Sequence, residues 1–273
     1  MLLMYGTLLG YMYFNQDTLM FNRLALRDDY QFELPLDFEE VTIERPGGTL
    51  LHGLVFKAEK TTDKASDNAS DEANGTVLFF KGNAGHVGHS DYFARRFTGK
   101  GYNFVLFDYP GFGKSKGTLN GPAMLDDALA LHDWTAERFG SGPLHIVGYS
   151  MGSAFASHVA AERTVAGLIL FAPYHSIIDM SERRFPLAPA VLLRSLPADV
   201  LKFPFDNQTS LERVSENIVI VHGDNDQVIP IESSAQLVPA LKSGDVYLPV
   251  KGATHASVTR QEQVWKAVDR LIP

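Results

Sequence analysis

The chain has 273 residues, of which 45% are hydrophobic and 21% are charged. These proportions are those of an ordinary folded protein, and a chain of this length can form a single α/β domain with a full core. The formal net charge of −8, without any run of basic residues, argues against nucleic-acid binding. The absence of cysteine excludes disulfides, thiolate metal sites and a cysteine nucleophile.

The N-terminal segment, residues 1–20, is apolar at its start. Residues 1–14 (MLLMYGTLLGYMYF) carry no charge, and Asp17 is the first charged residue. This run is shorter than the roughly twenty residues of a membrane span, and it lacks the basic residue and cleavage site of a secretory signal. It can be the end of a longer anchor, a helix on a membrane surface, or a helix packed on its own domain. The first two predict membrane association through residues 1–20 of an otherwise cytoplasmic protein.

Two stretches with strand-like patterns, residues 37–44 and 50–57, flank the turn signal Pro46-Gly47-Gly48 and predict a β-hairpin. A polar stretch, residues 58–74, follows and predicts a surface insertion. From residue 76 onward, apolar strands alternate with helical patterns. The expected strands are 76–80, 102–107, 144–147, 165–171, 217–221 and 245–248, and the expected helices are 91–100, 123–139, 151–162, 231–241 and 261–272. This alternation predicts one domain, residues 30–273, with a mostly parallel sheet covered by helices on both faces. The loops that follow the strands then share one edge of the sheet, where ligands bind.

Residues 173–215 interrupt this alternation with five prolines among apolar and aromatic side chains. An insertion between two strands of the sheet should lie over the ligand-binding edge as a small lid of short helices. An apolar lid favours a substrate with an apolar portion, although the same side chains can serve only to pack the lid on the domain.

The sequence Gly148-Tyr149-Ser150-Met151-Gly152 stands between a predicted strand and a predicted helix. A serine in this pattern lies on a strained turn that presents its hydroxyl at the carboxyl end of the sheet. We therefore predict that Ser150 is a nucleophile. Its oxyanion hole should include the backbone N–H of Met151, the residue that follows it.

A serine nucleophile needs a base, and His255 follows the last predicted strand, at the edge that holds Ser150. The other eight histidines are predicted to lie within strands, helices or less favourable loops. The base in turn needs a carboxylate. The loop His222-Gly223-Asp224-Asn225-Asp226, after the preceding strand, offers Asp224 and Asp226.

These motifs make the chain resemble the α/β-hydrolases and, more narrowly, the bud-emergence-type serine hydrolases with a membrane-anchored N-terminus. The resemblance runs from about Tyr13 to the C-terminus. The segments that carry it are YFNQD (13–17), GNAGH (82–86), FDYPGFGKS (107–115), the Ser150 turn and HGDNDQVIP (222–230). It implies the α/β-hydrolase fold, Asp226 rather than Asp224 as the acid, and the N–H of Asn83 as the second oxyanion donor. The family usually has His-Gly where this chain has Lys81-Gly82, which leaves the side-chain support of that loop open.

The predicted activity is hydrolysis of carboxylic esters or thioesters, through an acyl-enzyme on Ser150, with a small-molecule or lipid ester as substrate. The resembling family includes esterases, lipases and thioesterases, so it does not fix the substrate, and no substrate-binding residue is assigned. An amidase or peptidase with the same triad and a non-catalytic binding protein of the same fold are the alternatives. Neither a cofactor nor a metal is expected, since His86-x-x-His89 is a weak metal pattern and the PGFGKS loop lacks phosphate-loop spacing.

Overall fold

The structure, a computed structural model, describes residues 7, 10–11, 13–59, 73–140, 142–184 and 201–273. Its centre is an eight-stranded sheet with the strand order β8-β7-β6-β5-β3-β4-β2-β1. The strands are β1 (Glu39–Arg45), β2 (Thr49–Phe56), β3 (Gly75–Phe80), β4 (Tyr102–Phe107), β5 (Leu144–Tyr149), β6 (Gly167–Phe171), β7 (Ile218–Gly223) and β8 (Val246–Val250). Strand β2 runs antiparallel to both β1 and β4, and all other neighbours are parallel. The predicted mostly parallel sheet is confirmed.

The helices connect these strands and cover both faces of the sheet. They are α1 (Gln16–Met20), α2 (Asp91–Thr98), α3 (Gly121–Phe139), α4 (Gly152–Glu162), α5 (Ile177–Arg184), α6 (Asn207–Leu211), α7 (Ile231–Ala235) and α8 (Glu262–Val268). The helix predicted over 231–241 ends instead at Ala235, and a 3₁₀ turn, Val238–Ala240, follows it. Pro239 explains the difference, because its ring would clash with the carbonyl of Ala235 in a continuous helix.

Two hydrophobic cores lie on opposite faces of the sheet. Along β3, Val77 and Phe79 point into one core, while Leu78 and Phe80 point into the other. Helices α3 and α4 cover the Leu78 side, and α2 and α8 cover the other side. Successive strand residues point to opposite faces, so a strand buried on both must be apolar throughout. This is why the central strands read as continuous apolar runs.

The predicted lid lies only partly within the described residues, since residues 185–200 are outside them. Its two described ends contain α5 and α6, and the Ile177 N–H donates to the Phe205 carbonyl at 3.0 Å. The fully buried Asn207 fixes the returning chain. Its Oδ1 accepts from Ser157 Oγ at 2.8 Å, and its Nδ2 donates to Ser153 Oγ at 2.9 Å and to the Tyr174 carbonyl at 2.8 Å.

Residues 20–26, called here the strap, bind the N-terminal segment to the domain. Asn22 and Arg23 pair in parallel with residues 84–85, and Leu24 and Leu26 exchange backbone hydrogen bonds with Gly113. The buried Phe21 ring packs on Phe112 and Phe203, with centroid distances of 6.2 and 4.8 Å. Further towards the N-terminus, Tyr11, Phe14 and Leu19 are exposed. No helix among the described residues is long and apolar enough to cross a membrane.

Candidate active site

Ser150 lies between β5 and α4 with a φ of 56°, in the left-handed region that L-residues rarely adopt. Its N–H donates to the Phe171 carbonyl at 2.9 Å. The flanking glycines permit this turn by allowing close packing. A Cβ on Gly148 would lie 2.7 Å from Ser153 Cα, and one on Gly152 would lie 2.0 Å from the Phe80 carbonyl oxygen. The backbone therefore has the strained strand-to-helix turn that the sequence predicts.

His255 and Asp226 come together at the carboxyl edge of the sheet, in the loops that follow β8 and β7. The distance between His255 Nδ1 and Asp226 Oδ2 is 2.6 Å. Because a carboxylate can only accept, Nδ1 carries the proton, and Nε2 of a neutral imidazole is left as the basic nitrogen. The Asp226 side chain is fully buried, whereas the His255 side chain is 15% exposed. The imidazole is thus open to a substrate while its carboxylate partner is shielded.

Asp226 is held in its ionised form by several donors. Burial alone would raise its pKa, but hydrogen bonds from His222, His255 and the backbone of the same loop hold the pKa well below its usual range. Its Oδ1 accepts from the N–H groups of Val228 and Ile229 at 2.8 and 2.9 Å. His222 Nε2 lies 2.8 Å from the Ile229 carbonyl and 3.2 Å from Asp226 Oδ2. A carboxylate held ionised in this way can orient a histidine and stabilise its protonated form.

Asp224, the other acid of this loop, forms its hydrogen bonds with backbone groups of residues 250 and 252. Its Oδ1 accepts from the Gly252 N–H at 2.6 Å, and its own N–H donates to the Val250 carbonyl at 3.1 Å. It therefore ties the β7 loop to the loop that carries His255.

The loop after β3 passes beside the nucleophile. A Cβ built on Gly82 would lie 3.5 Å from Ser150 Cβ and 3.6 Å from the Tyr149 ring. Among the described residues, the backbone N–H groups of Asn83 and Met151 have no hydrogen-bond acceptor. Unpaired amides flanking a nucleophile are the groups from which an oxyanion hole is built.

Asn83 is also the point where the strap meets the active-site edge. Its Nδ2 donates to the Met20 carbonyl at 2.8 Å, and its own carbonyl accepts from the Asn22 N–H at 2.9 Å. The sequence does not indicate this contact, because nothing local to residue 83 or to residues 20–22 points to their pairing.

Tyr149 is a second residue whose contacts at the site are not indicated by the sequence. Its hydroxyl donates to the His255 carbonyl at 3.0 Å, and the two rings lie 5.2 Å apart. Burial, with a contribution from the Asp226 charge, raises the pKa of Tyr149 to about 12, so the phenol keeps its proton. The residue before Ser150 thus contacts the loop that carries His255, the predicted base.

In the part of the chain that the structure describes, no group of three or more His, Asp or Glu side chains could hold a metal ion. The rings of His86 and His89, the weak metal pattern, lie against one another at an angle of 34°, with their centroids 4.0 Å apart.

The fold and the serine turn define the chain as an α/β-hydrolase of the serine hydrolase class. A family model described as serine aminopeptidase, S33 (Hydrolase_4) matches residues 71–217, which is more than half of the chain. The chain therefore belongs to this family.

Curated relatives include the lysophosphatidylserine lipase ABHD12 of Danio rerio, 27% identical over 204 residues, which cover 69% of this chain and 53% of that protein. The lipase of the same name from Rattus norvegicus is 30% identical over 59% of this chain and 44% of its own length. The chain thus spans about half the length of the lipases that it matches.

Solved structures share the fold at low sequence identity. An esterase of Pyrococcus furiosus superimposes with a TM-score of 0.66 and 18% identity, over 93% of this chain and 99% of that one. An α/β serine hydrolase homologue from Coxiella burnetii gives a TM-score of 0.59 and 21% identity, over 89% of this chain and all of that one. At these identities the similarity establishes the fold alone.

Proposed function

We propose that the chain hydrolyses carboxylic esters or thioesters through an acyl-enzyme formed on Ser150, with His255 as the base and Asp226 as the acid. The observation that carries this proposal is the 2.6 Å contact between His255 and an ionised, buried Asp226, at the edge that also presents Ser150. The unpaired amides of Asn83 and Met151 supply the donors for the oxyanion.

In the first half-reaction, His255 Nε2 takes the proton from Ser150 Oγ, which attacks the carbonyl carbon of the ester. The negative charge that develops on the carbonyl oxygen is held by the N–H groups of Asn83 and Met151, each worth about 3 kcal/mol of the barrier in such sites. His255 then donates its proton to the departing alcohol or thiol. In the second half-reaction it takes a proton from water, which attacks the acyl group, and it returns this proton to Ser150 Oγ as the acid leaves.

Two observations support a substrate with an apolar acyl part. Met151, Tyr174, Phe203 and Phe205 are buried in the core cluster that also contains Phe21, so the Ser150 turn, the described ends of the lid and the strap share one apolar region. The lysophosphatidylserine lipases are relatives by sequence. We extend the proposal to lipid esters, presented to the enzyme through membrane association of residues 1–20, on which Tyr11, Phe14 and Leu19 are exposed. The domain proper then comprises residues 30–273, with the lid at 173–215.

The decisive test measures hydrolysis of p-nitrophenyl esters of increasing chain length by the wild type and by Ser150→Ala. We expect the variant to lose the activity, and a variant that keeps the wild-type rate would contradict the proposal. Asp226→Asn should lower kcat by roughly 10³–10⁴-fold, whereas the matched Asp224→Asn should keep kcat within a fewfold. Equal effects of the two substitutions would contradict the assignment of the acid.

The alternatives need separate measurements. The family description favours testing aminoacyl amides beside the esters, and faster turnover of the amides would replace the esterase with an aminopeptidase. A binding protein without catalysis would show no Ser150-dependent labelling by a fluorophosphonate. Flotation with liposomes, with and without residues 1–20, tests the membrane part, and equal behaviour of the two forms would remove it.

A further inference from the structure

Lys81 is a buried lysine directly before the loop that carries the Asn83 amide. The residue is only 4% exposed. Its ammonium group turns back under the loop and donates to the carbonyls of Gly85 at 3.2 Å and Ala84 at 3.4 Å. It also lies 4.1 Å from the centre of the Phe112 ring, within cation–π range. The side chain therefore closes a ring of contacts around Gly82 and Asn83.

Asp108, the residue that follows β4, contacts both Lys81 and the same loop. Its Oδ1 lies 3.5 Å from Lys81 Nζ, and its Oδ2 accepts from the Val87 N–H at 3.1 Å. The next residue, Tyr109, donates from its hydroxyl to the Lys81 carbonyl at 2.7 Å, which fixes the peptide that leads into Gly82. Residues 81–87 are thus attached at three points to the chain after β4.

This arrangement is costly for the fold. Burial lowers the pKa of Lys81 and raises the pKa of Asp108 to about 6, although each partner opposes the shift of the other. Apolar residues of similar size often replace such a buried pair without loss of stability. Stability therefore gives a weak reason for a charge at position 81, whereas the two carbonyl contacts give a specific one, since an apolar side chain cannot make them.

We propose that Lys81 is a positioning residue for the oxyanion hole. Its ammonium group holds the carbonyls of Ala84 and Gly85 inward, so that the Asn83 N–H faces the oxygen of the tetrahedral intermediate. The inference rests on the proposed function and answers the question raised by the departure from His-Gly: the lysine itself supports the loop.

The test compares Lys81→Met with the double variant Lys81→Met/Asp108→Asn, which leaves no unpaired charge in the core and keeps an acceptor for the Val87 N–H. The measured quantities are kcat for p-nitrophenyl acetate per titrated Ser150, KM, and the affinity for a trifluoromethyl ketone that forms a tetrahedral adduct on the serine. We expect kcat to fall by about 30- to 300-fold in both variants, KM to stay within about threefold, and the ketone affinity to fall in parallel with kcat.

Lys114→Met is the matched control. Lys114 is also largely buried, with Nζ 2.6 Å from Glu40 Oε2 and 5.0 Å from the Phe32 ring centre, but it does not contact residues 82–85. Its removal should leave kcat per titrated site within about threefold of the wild type.

The ammonium can also be restored chemically, because the chain contains no cysteine. Lys81→Cys, alkylated with 2-bromoethylamine in denaturant and refolded beside identically treated wild type, regains a lysine-like side chain at this position alone. We expect most of the lost kcat to return.

The inference is overturned if the double variant keeps kcat within about threefold, or if both variants fail to fold, because the pair then serves stability alone. Activity that survives in Ser150→Ala would instead overturn the proposed function, so the two failures are distinguishable.

Discussion

Gly82→Ala tests whether the loop after β3 borders the space that the substrate carbonyl occupies beside Ser150. The substitution should affect catalysis without affecting the fold. The new methyl group would meet Ser150 Cβ at 3.5 Å and Tyr149 Cδ1 at 3.6 Å, which are ordinary van der Waals distances. Gly82 does not have the positive φ that makes a side chain strained. We therefore expect the variant to fold with a free energy of unfolding within about 1 kcal/mol of the wild type, since replacing glycine at a compatible site also restricts the unfolded chain.

The expected effect on catalysis is much larger. The ester carbonyl has to enter between Ser150 and the loop that carries the Asn83 amide, and the methyl group takes part of this space. A displacement of about 1 Å in a reacting group typically costs about 100-fold in rate. A 100-fold loss of kcat/KM corresponds to about 2.7 kcal/mol of transition-state stabilisation.

The assay combines chemical denaturation with steady-state hydrolysis of p-nitrophenyl acetate. Gly142→Ala is the control, because its Cβ would meet only the Gly75 Cα, at 3.8 Å, and we expect wild-type activity there. If Gly82→Ala is as stable and as active as Gly142→Ala, the β3 loop does not face the reacting carbonyl and its proposed role is refuted.

Three further predictions concern other contacts. Tyr149→Phe removes the hydrogen bond to the His255 carbonyl and should lower kcat about three- to tenfold in steady-state assays, whereas an unchanged kcat would exclude a positioning role. Burial lowers the pKa of His145 from 6.5 to about 4, so the unfolded chain takes up a proton first and stability falls as the pH drops through this window, by up to about 3 kcal/mol. Denaturation of His145→Leu at pH 7.5 and 4.5 should show this acid-dependent loss reduced, and an unreduced loss would contradict the argument. Asn207→Ala should lower the free energy of unfolding by about 2–3 kcal/mol, because it leaves buried partners unpaired. Asn120→Ala, which removes the side chain that caps the start of α3, should lower it by about 1 kcal/mol. Equal losses of melting temperature would show that the Asn207 network contributes no more than a helix cap.

The fold could be predicted because its signals are local and repeated. A doubly buried strand must be apolar along its whole length, and a glycine pair around a serine marks a turn that other residues would block. The site depends on these same signals, since strands that end at one edge bring their loops together. The choice of Asp226 over Asp224 came from resemblance, and the structure adds a physical account, since Asp226 Oδ2 lies 2.6 Å from His255 Nδ1 whereas Asp224 accepts from the Gly252 amide.

What the sequence did not reveal are contacts between segments far apart in the chain. The pairing of Asn83 with residues 20–22 joins positions about sixty residues apart, and the contact between Lys81 and Asp108 joins the ends of the neighbouring strands β3 and β4. Neither follows from a periodicity or a motif. The role that we propose for Lys81, where the resembling family usually has histidine, depends on the positions of the Ala84 and Gly85 carbonyls. No sequence pattern encodes these positions.

The strap affects how substrate molecules reach the active site. The chain enters the domain beside Asn83, so anything that holds the N-terminal segment also holds the catalytic edge close to the point of attachment. A site that is attached to a surface through a short segment meets the molecules of that surface at a high effective concentration. If residues 1–20 rest on a membrane, lipids would meet the catalytic edge at surface density rather than at their dilute concentration in water, and a freely diffusing enzyme would have no such advantage.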